Sequence, residues 1–272
     1  MNSLTGTALP RRPTFMQALA IQLRVIGALI MRELHTRYGR ENVGYLWMFL
    51  EPMLLASVIG LLHYESGHGA YGGDIKPLPF AVIGYTTFIL FRGIVNRAEG
   101  AIEANAPLLY HRTVTVLDIV LARALLEFAA IFLTFSLIIT LIIFVGLADL
   151  PARPLYVMLG WVMMWLFCLG QSALITAVTY ERRTIGRLVH PYTYFMTGLS
   201  GAFYIVAWLP KSVREWAGWL PTTTIFETVR YGWFDAAKND YCYIGYCLAF
   251  CVVQLWMGLF ALRRIRERIH LS

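Results

Sequence analysis

Apolar residues along this chain gather into six long runs separated by shorter polar segments. The runs cover about residues 44–64, 78–96, 119–147, 155–178, 191–209 and 242–262. Each is close to, or longer than, the roughly 20 residues that an apolar helix needs to cross a bilayer core. The pattern predicts an all-α membrane protein with about six transmembrane helices, forming a single transmembrane domain over 44–272. Residues 14–43 read differently. Leu19, Leu23, Ile26 and Ile30 fall near one helical face, but Gln17, Arg24, Arg32 and His35 interrupt the run. That pattern predicts an amphipathic helix lying in the membrane interface rather than a span. Residues 1–13 are polar and rich in Pro and Thr, which predicts a disordered tail and no cleavable signal peptide.

The stretch 210–241 fits neither loop nor span. Trp216, Trp219, Leu220, Ile225, Phe226, Tyr231, Trp233 and Phe234 make it too apolar to float in water, while Pro210, Pro221 and Gly232 break any continuous crossing. Backbone at membrane depth that does not span must pack against protein or line a cavity. Short re-entrant helices between the fifth and sixth spans satisfy both facts.

Composition agrees with this pattern. Of 272 residues, 58% are hydrophobic and 14% charged, against roughly 25% charged in soluble domains. The net charge of +7 does not point to nucleic acid, because the arginines flank apolar runs. Arg11, Arg12, Arg24, Arg32, Arg37 and Arg40 precede the first run. Arg97 and Arg112 follow the second, Arg182, Arg183 and Arg187 the fourth, and Arg263, Arg264, Arg266 and Arg268 the last. The loop after the fifth run is balanced, with Lys211, Arg214, Arg230 and Lys238 against Glu215, Glu227, Asp235 and Asp240. Every other loop is therefore basic, which places both termini in the cytoplasm.

Enzyme motifs are missing from the sequence. Lys76, Lys211 and Lys238 follow Ile75, Pro210 and Ala237, so no lysine sits in a phosphate-cradling G-x-x-x-x-G-K-[ST] loop. Cys168, Cys242, Cys247 and Cys251 form no C-x-x-C pair, and no metal or other cofactor is expected in this chain.

Charges inside the runs are costly and call for a role. Glu51 lies about seven residues, roughly 10 Å, into the first run, and Arg92 lies about five residues from the end of the second. If these runs are antiparallel neighbours, the two charges sit at matching depth. They either pair or face one polar cavity. Alternatively, Arg92 snorkels to the interface and Glu51 bonds a neighbouring helix. Mid-run Tyr85, Phe88, Phe203 and Tyr204 are candidates to line a substrate path, or else belong to ordinary packing. Arg32, Arg37 and Arg40 are positioned to meet lipid head groups. The segment 99–118 has a helical start, an Asn-Ala-Pro break and a cluster Leu108-Leu109-Tyr110 that is expected to be exposed. It reads as a short helix offered to a soluble partner, or as a connector lying on lipid.

Arg32 to Pro52 reads R-E-L-H-T-R-Y-G-R, then G-Y-L-W and L-E-P. This closely resembles the start of membrane permeases of polysaccharide ABC exporters, particularly the capsular-polysaccharide type. The N-A-P-L-L segment at Asn105 to Leu109 and L-P-T-T-T-I-F-E-T-V-R-Y-G-W-F at Leu220 to Phe234 are similar to that family too. The resemblance implies a homodimer of permeases with two copies of a separate ATPase, which carries the ATP and Mg. It implies ATPase coupling through the 97–118 loop, with Asn105, Leu108, Leu109, Tyr110, His111 and Arg112 as candidates. It also implies a lipid-linked, usually acidic polysaccharide moved outward across the bacterial inner membrane for capsule biogenesis. Periplasmic and outer-membrane export proteins would take it onward. The arginine-rich inner face suits an anionic lipid-phosphate end. Permeases for O-antigen or teichoic acid are close neighbours of this reading. An ion-coupled small-molecule transporter is the rival from another class, but few carboxylates could relay protons and no inverted repeat is evident.

If Glu51 and Arg92 pair, exchanging them (Glu51→Arg with Arg92→Glu) will restore transport above the level of either single change. A double variant no better than the singles removes the pair.

Overall fold

The computed structural model describes residues 14–38, 75–109 and 114–269, with the isolated positions Leu54 and Val58. The expectations placed on residues 1–13, the bulk of the 44–64 span, the side chain of Arg37, and Arg40, Glu51, Tyr110, His111 and Arg112 lie outside the described residues. Within the described residues the chain is all-α. The principal helices are α1 (Phe15–Tyr38), α2 (Pro77–Asn96), α3 (Val116–Phe144), α4 (Pro154–Glu181), α5 (Val189–Leu199), α6 (Lys211–Gly218), α7 (Pro221–Trp233) and α8 (Ile244–Ile269). Among the described residues, five helices are long and apolar enough to cross a membrane by length and composition: Phe15–Thr36 of α1, then α2, α3, α4, and Ile244–Arg266 of α8. The polar interruptions in α1 therefore do not remove it from that set. Little of α1 is buried, however.

Local chemistry explains where these helices begin. Proline occupies the first turn of α2, α4 and α7, where a missing N–H costs nothing. Helix α3 starts on a capping box, in which Thr115 Oγ1 accepts from the Asp118 amide while the Asp118 carboxylate accepts from the Thr115 amide. That exchange satisfies amides that no preceding turn can reach.

Helix α2 lies at the centre. From Leu78 to Val95 almost every side chain is buried. Helix α4 packs against α2, α7 and α8. Trp161 of α4 is fully buried, with ring centroids 5.3 Å from Phe132 and 5.0 Å from Phe135 of α3. Small residues let α4 and α8 close up, since a methyl group at Gly258 would lie 2.7 Å from Ala173 Cβ. Close approach through small side chains is the usual means of helix association in lipid, where no hydrophobic drive exists.

Cross-links identify the two ends of the bundle. At one end, Thr176 Oγ1 donates to the Ala98 carbonyl at 3.1 Å, and Arg123 Nη1 donates to the Arg97 carbonyl at 3.1 Å. This is the arginine-rich end, where α2 finishes, α3 begins and α4 finishes. At the opposite end Lys76 pairs with Asp149 at 2.8 Å and Arg153 with Asp235 at 3.1 Å.

The fifth apolar run departs from the expected span over 191–209. Helix α5 is 11 residues long, about 16 Å at 1.5 Å per residue and too short to cross. It stops at Leu199. Gly201 then takes φ 90°, a conformation open to glycine and strained for other residues. The chain continues without regular structure to a single 3-10 turn, Val206–Trp208.

A methyl group at Gly84 of α2 would overlap the Ala202 carbonyl oxygen, which is backbone and cannot swing aside. Gly84→Ala should cost about 1–3 kcal/mol, read as a lowered melting temperature of the detergent-solubilised protein. An unchanged melting temperature would show that α2 and the 200–206 segment are not in this contact.

Candidate functional site

Two polar assemblies and a half-buried cation, Arg92, stand out among the described residues of the apolar bundle. The first is a junction at the arginine-rich end. Arg32 Nη1 of α1 donates to Asn105 Oδ1 at 2.8 Å, and Asn105 Nδ2 donates to the Ala101 carbonyl at 2.8 Å. Glu33 of α1 pairs with Arg123 of α3 at 3.3 Å, and Gln22 Nε2 donates to Asp118 Oδ1 at 3.0 Å. Arg97 pairs with the buried Glu127 at 2.6 Å. Every one of these bonds from α1 reaches the first two turns of α3 or the 97–109 segment. Helix α1 is thus fixed to this end by directional bonds as well as by packing.

This junction changes the roles expected for several residues. Arg32, expected at lipid head groups, spends a donor on Asn105. Asn105 is 2% exposed and acts as an internal brace. The Leu108-Leu109 pair is not an exposed cluster: Leu109 is buried and Leu108 packs half-buried on the core. The reason is local. The 3-10 turn Glu103–Asn105 leads directly into the one-turn helix Ala106–Leu109, which turns the leucines inward. The residues shown to solvent are Glu103, Ala104, Ala106 and Pro107.

The second assembly is buried and was not foreseen from the sequence, where Glu227 and Arg230 counted as loop charges. Both lie on α7, three residues apart, with side chains 7% and 2% exposed. Arg230 Nη1 donates to the Tyr204 carbonyl at 2.6 Å and Nη2 to the Ala202 carbonyl at 2.7 Å. Glu227 Oε1 accepts from the Val206 amide at 3.1 Å and from Arg230 Nη1 at 3.4 Å. Thr223 Oγ1 donates to the Ser200 carbonyl at 3.3 Å. Side chains of α7 therefore serve the backbone groups of 200–206 that a continuous helix would have paired internally. The Arg230 guanidinium also lies 4.4 Å from the ring centre of Phe80 on α2, so the cluster ties α2, α7 and the break after α5 together. The i,i+3 spacing of an acid and an arginine in an apolar, threonine-rich stretch was the signal available in the sequence.

The aromatic path candidates separate. Tyr85 is 8% and Phe88 2% exposed, so both belong to the core, because α2 is enclosed by its neighbours. Phe203 is half-buried and packs on Phe88 with ring centroids 6.3 Å apart. Tyr204 donates its hydroxyl to the Leu199 carbonyl at 2.8 Å. Arg92 meets Tyr194 of α5: Nη2 donates to the phenol oxygen at 3.3 Å, and the guanidinium carbon lies 4.9 Å from the ring centre.

The described residues thus form an all-α membrane bundle in which a broken helix is braced by a buried ion pair and α1 is bonded to a short helical turn. The chain belongs to the ABC-2 type transporter family, whose model matches residues 24–234. It is 38% identical to the capsule polysaccharide export inner-membrane protein CtrC of Neisseria meningitidis, covering 91% of this chain and 93% of that one. It is 35% identical to the capsule polysaccharide export inner-membrane protein BexB of Haemophilus influenzae, covering 94% and 96%. The polysialic acid transport protein KpsM of Escherichia coli is 28% identical, over 93% and 97%.

Arg230→Met strands a buried carboxylate and two carbonyls, which should cost about 3–5 kcal/mol. A simple buried ion pair recovers when both members become apolar. Here Glu227→Leu with Arg230→Met should remain well below wild type, because the 200–206 backbone stays unpaired. Thermal melting of the purified variants checks this, and a double variant as stable as wild type would refute the backbone role.

Proposed function

We propose that this chain is the permease subunit of an ATP-driven exporter moving lipid-linked capsular polysaccharide from the cytoplasm across the bacterial inner membrane. The observation that carries this reading is the 38% identity over 91% of the chain to a capsule polysaccharide export inner-membrane protein. The geometry supports it in three ways. The bundle concentrates arginine at one end, which the positive-inside rule assigns to the cytoplasm. At that end the turn bearing Glu103, Ala104, Ala106 and Pro107 is held rigid by Asn105, Arg32 and Ala101. A rigid, exposed turn between two long helices is suited to pass motion from a soluble ATPase into the bundle. The third support is the pair of exposed apolar faces on α5 (Phe195) and α8 (Trp256, Phe260), which suit lipid or a second permease copy.

In this reading ATP and Mg bind a separate ATPase present in two copies, and the permease is a homodimer. Periplasmic and outer-membrane proteins receive the polymer. Helix α1 lies at the cytoplasmic interface, and α6 and α7 dip into the membrane from the outer side.

Deleting the gene from its host should leave lipid-linked polymer inside the cell. Restoring the chain together with its partner ATPase should return polymer to the surface, and restoring it with an ATPase inactive in hydrolysis should not. Surface polymer in the deletion strain, measured by binding of a capsule-specific antibody, would contradict the proposal.

A further inference from the structure

Most of α2 is sealed by its neighbours, but one stripe is not. Ile89, Arg92, Gly93 and Asn96 recur at helical spacing and are each half-buried. Glu127 of α3 borders the stripe at Gly93. Helix α5 borders the other side, fastened where Thr193 Oγ1 donates to Asn96 Oδ1 at 2.9 Å. Arg92 sits four residues before the end of α2, about 6 Å inside the arginine-rich end.

Its surroundings differ from those of three other arginines of the bundle. Arg97, Arg123 and Arg230 each have a carboxylate, from Glu127, Glu33 and Glu227. Among the described residues no carboxylate pairs with Arg92. Its partner is a neutral phenol, Tyr194, a residue that stays 62% exposed beside it. A guanidinium carries five donors in a planar fork, and one long bond to Tyr194 leaves most of that capacity open. The phenol accepts from the guanidinium and keeps its own O–H to donate. A cation fork and a hydroxyl donor side by side, near head-group depth, match the oxygens of a phosphate better than a neutral sugar.

We propose that Arg92 and Tyr194 form a binding site for the phosphate of an amphiphile lying in the inner leaflet. The source is either a bilayer phospholipid or the lipid end of the exported glycan, and the second source rests on the export reading. Tyr194 holds the guanidinium by its ring face and offers its hydroxyl to the same phosphate. A phosphate bound here would anchor the lipid end of a substrate between α2 and α5 while the rest of the molecule is engaged elsewhere.

The test uses the full chain purified in neutral detergent and titrated with dioctanoyl phosphatidic acid, with dioctanoylglycerol as the uncharged control. The wild type should bind the first and not the second. Arg92→Gln should weaken binding by about tenfold or more, Arg92→Lys by less, and Tyr194→Phe by a few fold because the ring stays and the hydroxyl goes. Melting temperatures taken alongside separate lost binding from lost folding, and Tyr194→Phe reads the site even if Arg92→Gln does not fold. Competition by lipid-linked glycan from export-blocked cells assigns the site to substrate, and its failure to compete assigns it to phospholipid. Equal binding by wild type, Arg92→Gln and Tyr194→Phe, or equal binding of the uncharged control, overturns the site. So does recovery of phosphatidic acid binding to wild-type strength in Glu51→Arg with Arg92→Glu, which removes the guanidinium from position 92. Failure of the chain to restore capsule export would instead count against the export reading and leave the phosphate site standing.

Discussion

Backbone hydrogen bonding is the constraint on which this molecule depends. In lipid an unpaired carbonyl or amide has no water to turn to, yet this chain abandons regular helix between Leu199 and Val206. Three carbonyls and an amide in that interval are met instead by side chains of α7: Thr223, Arg230 and Glu227. The ion pair is placed where the backbone needs it. Each ion also offsets the burial of the other, since a lone charge at this depth would be expensive.

The consequence reaches beyond the break itself. Because Arg230 also stacks on Phe80, and Gly84 admits the Ala202 carbonyl, the central helix α2 is tied to the interruption at two points. Helix α5 is held to α2 a second time by Asn96 and Thr193 near the other end. A short helix fixed at both ends against the most buried helix of the bundle presents a defined outer face, carrying Tyr194 and Phe195. At the arginine-rich end, directional bonds from α1 play a similar part for the 97–109 turn.

The all-α fold was legible in the sequence because long apolar runs leave a chain little choice of structure in lipid. The short helices between the fifth and sixth runs were legible too, because Pro210, Pro221 and Gly232 interrupt an apolar stretch. What periodicity could not show was that the fifth run stops half-way. Its residues stay apolar through Phe203, Ile205 and Val206, and the break is set by Gly201 together with groups on α7 more than 20 positions later. For the same reason Glu227 and Arg230 read as loop charges, since their partners are backbone atoms, which hydropathy does not register. Tyr85 and Phe88 stood between a path and ordinary packing because aromatic character was visible and enclosure by α3, α4 and α5 was not. Leu108 and Leu109 turned inward because of a 3-10 turn that the Asn-Ala-Pro break suggested only as an interruption.

In the proposed function this chain, energised by a separate ATPase, carries lipid-linked capsular polysaccharide outward. The most direct measurement uses inverted inner-membrane vesicles containing the chain, its ATPase and the lipid-linked polymer. ATP added outside should move polymer into the lumen, where glycan-degrading enzyme cannot reach it, and vesicles lacking either protein should protect none. Protection that appears without the permease, or that follows an ion gradient in the absence of ATP, would contradict the claim.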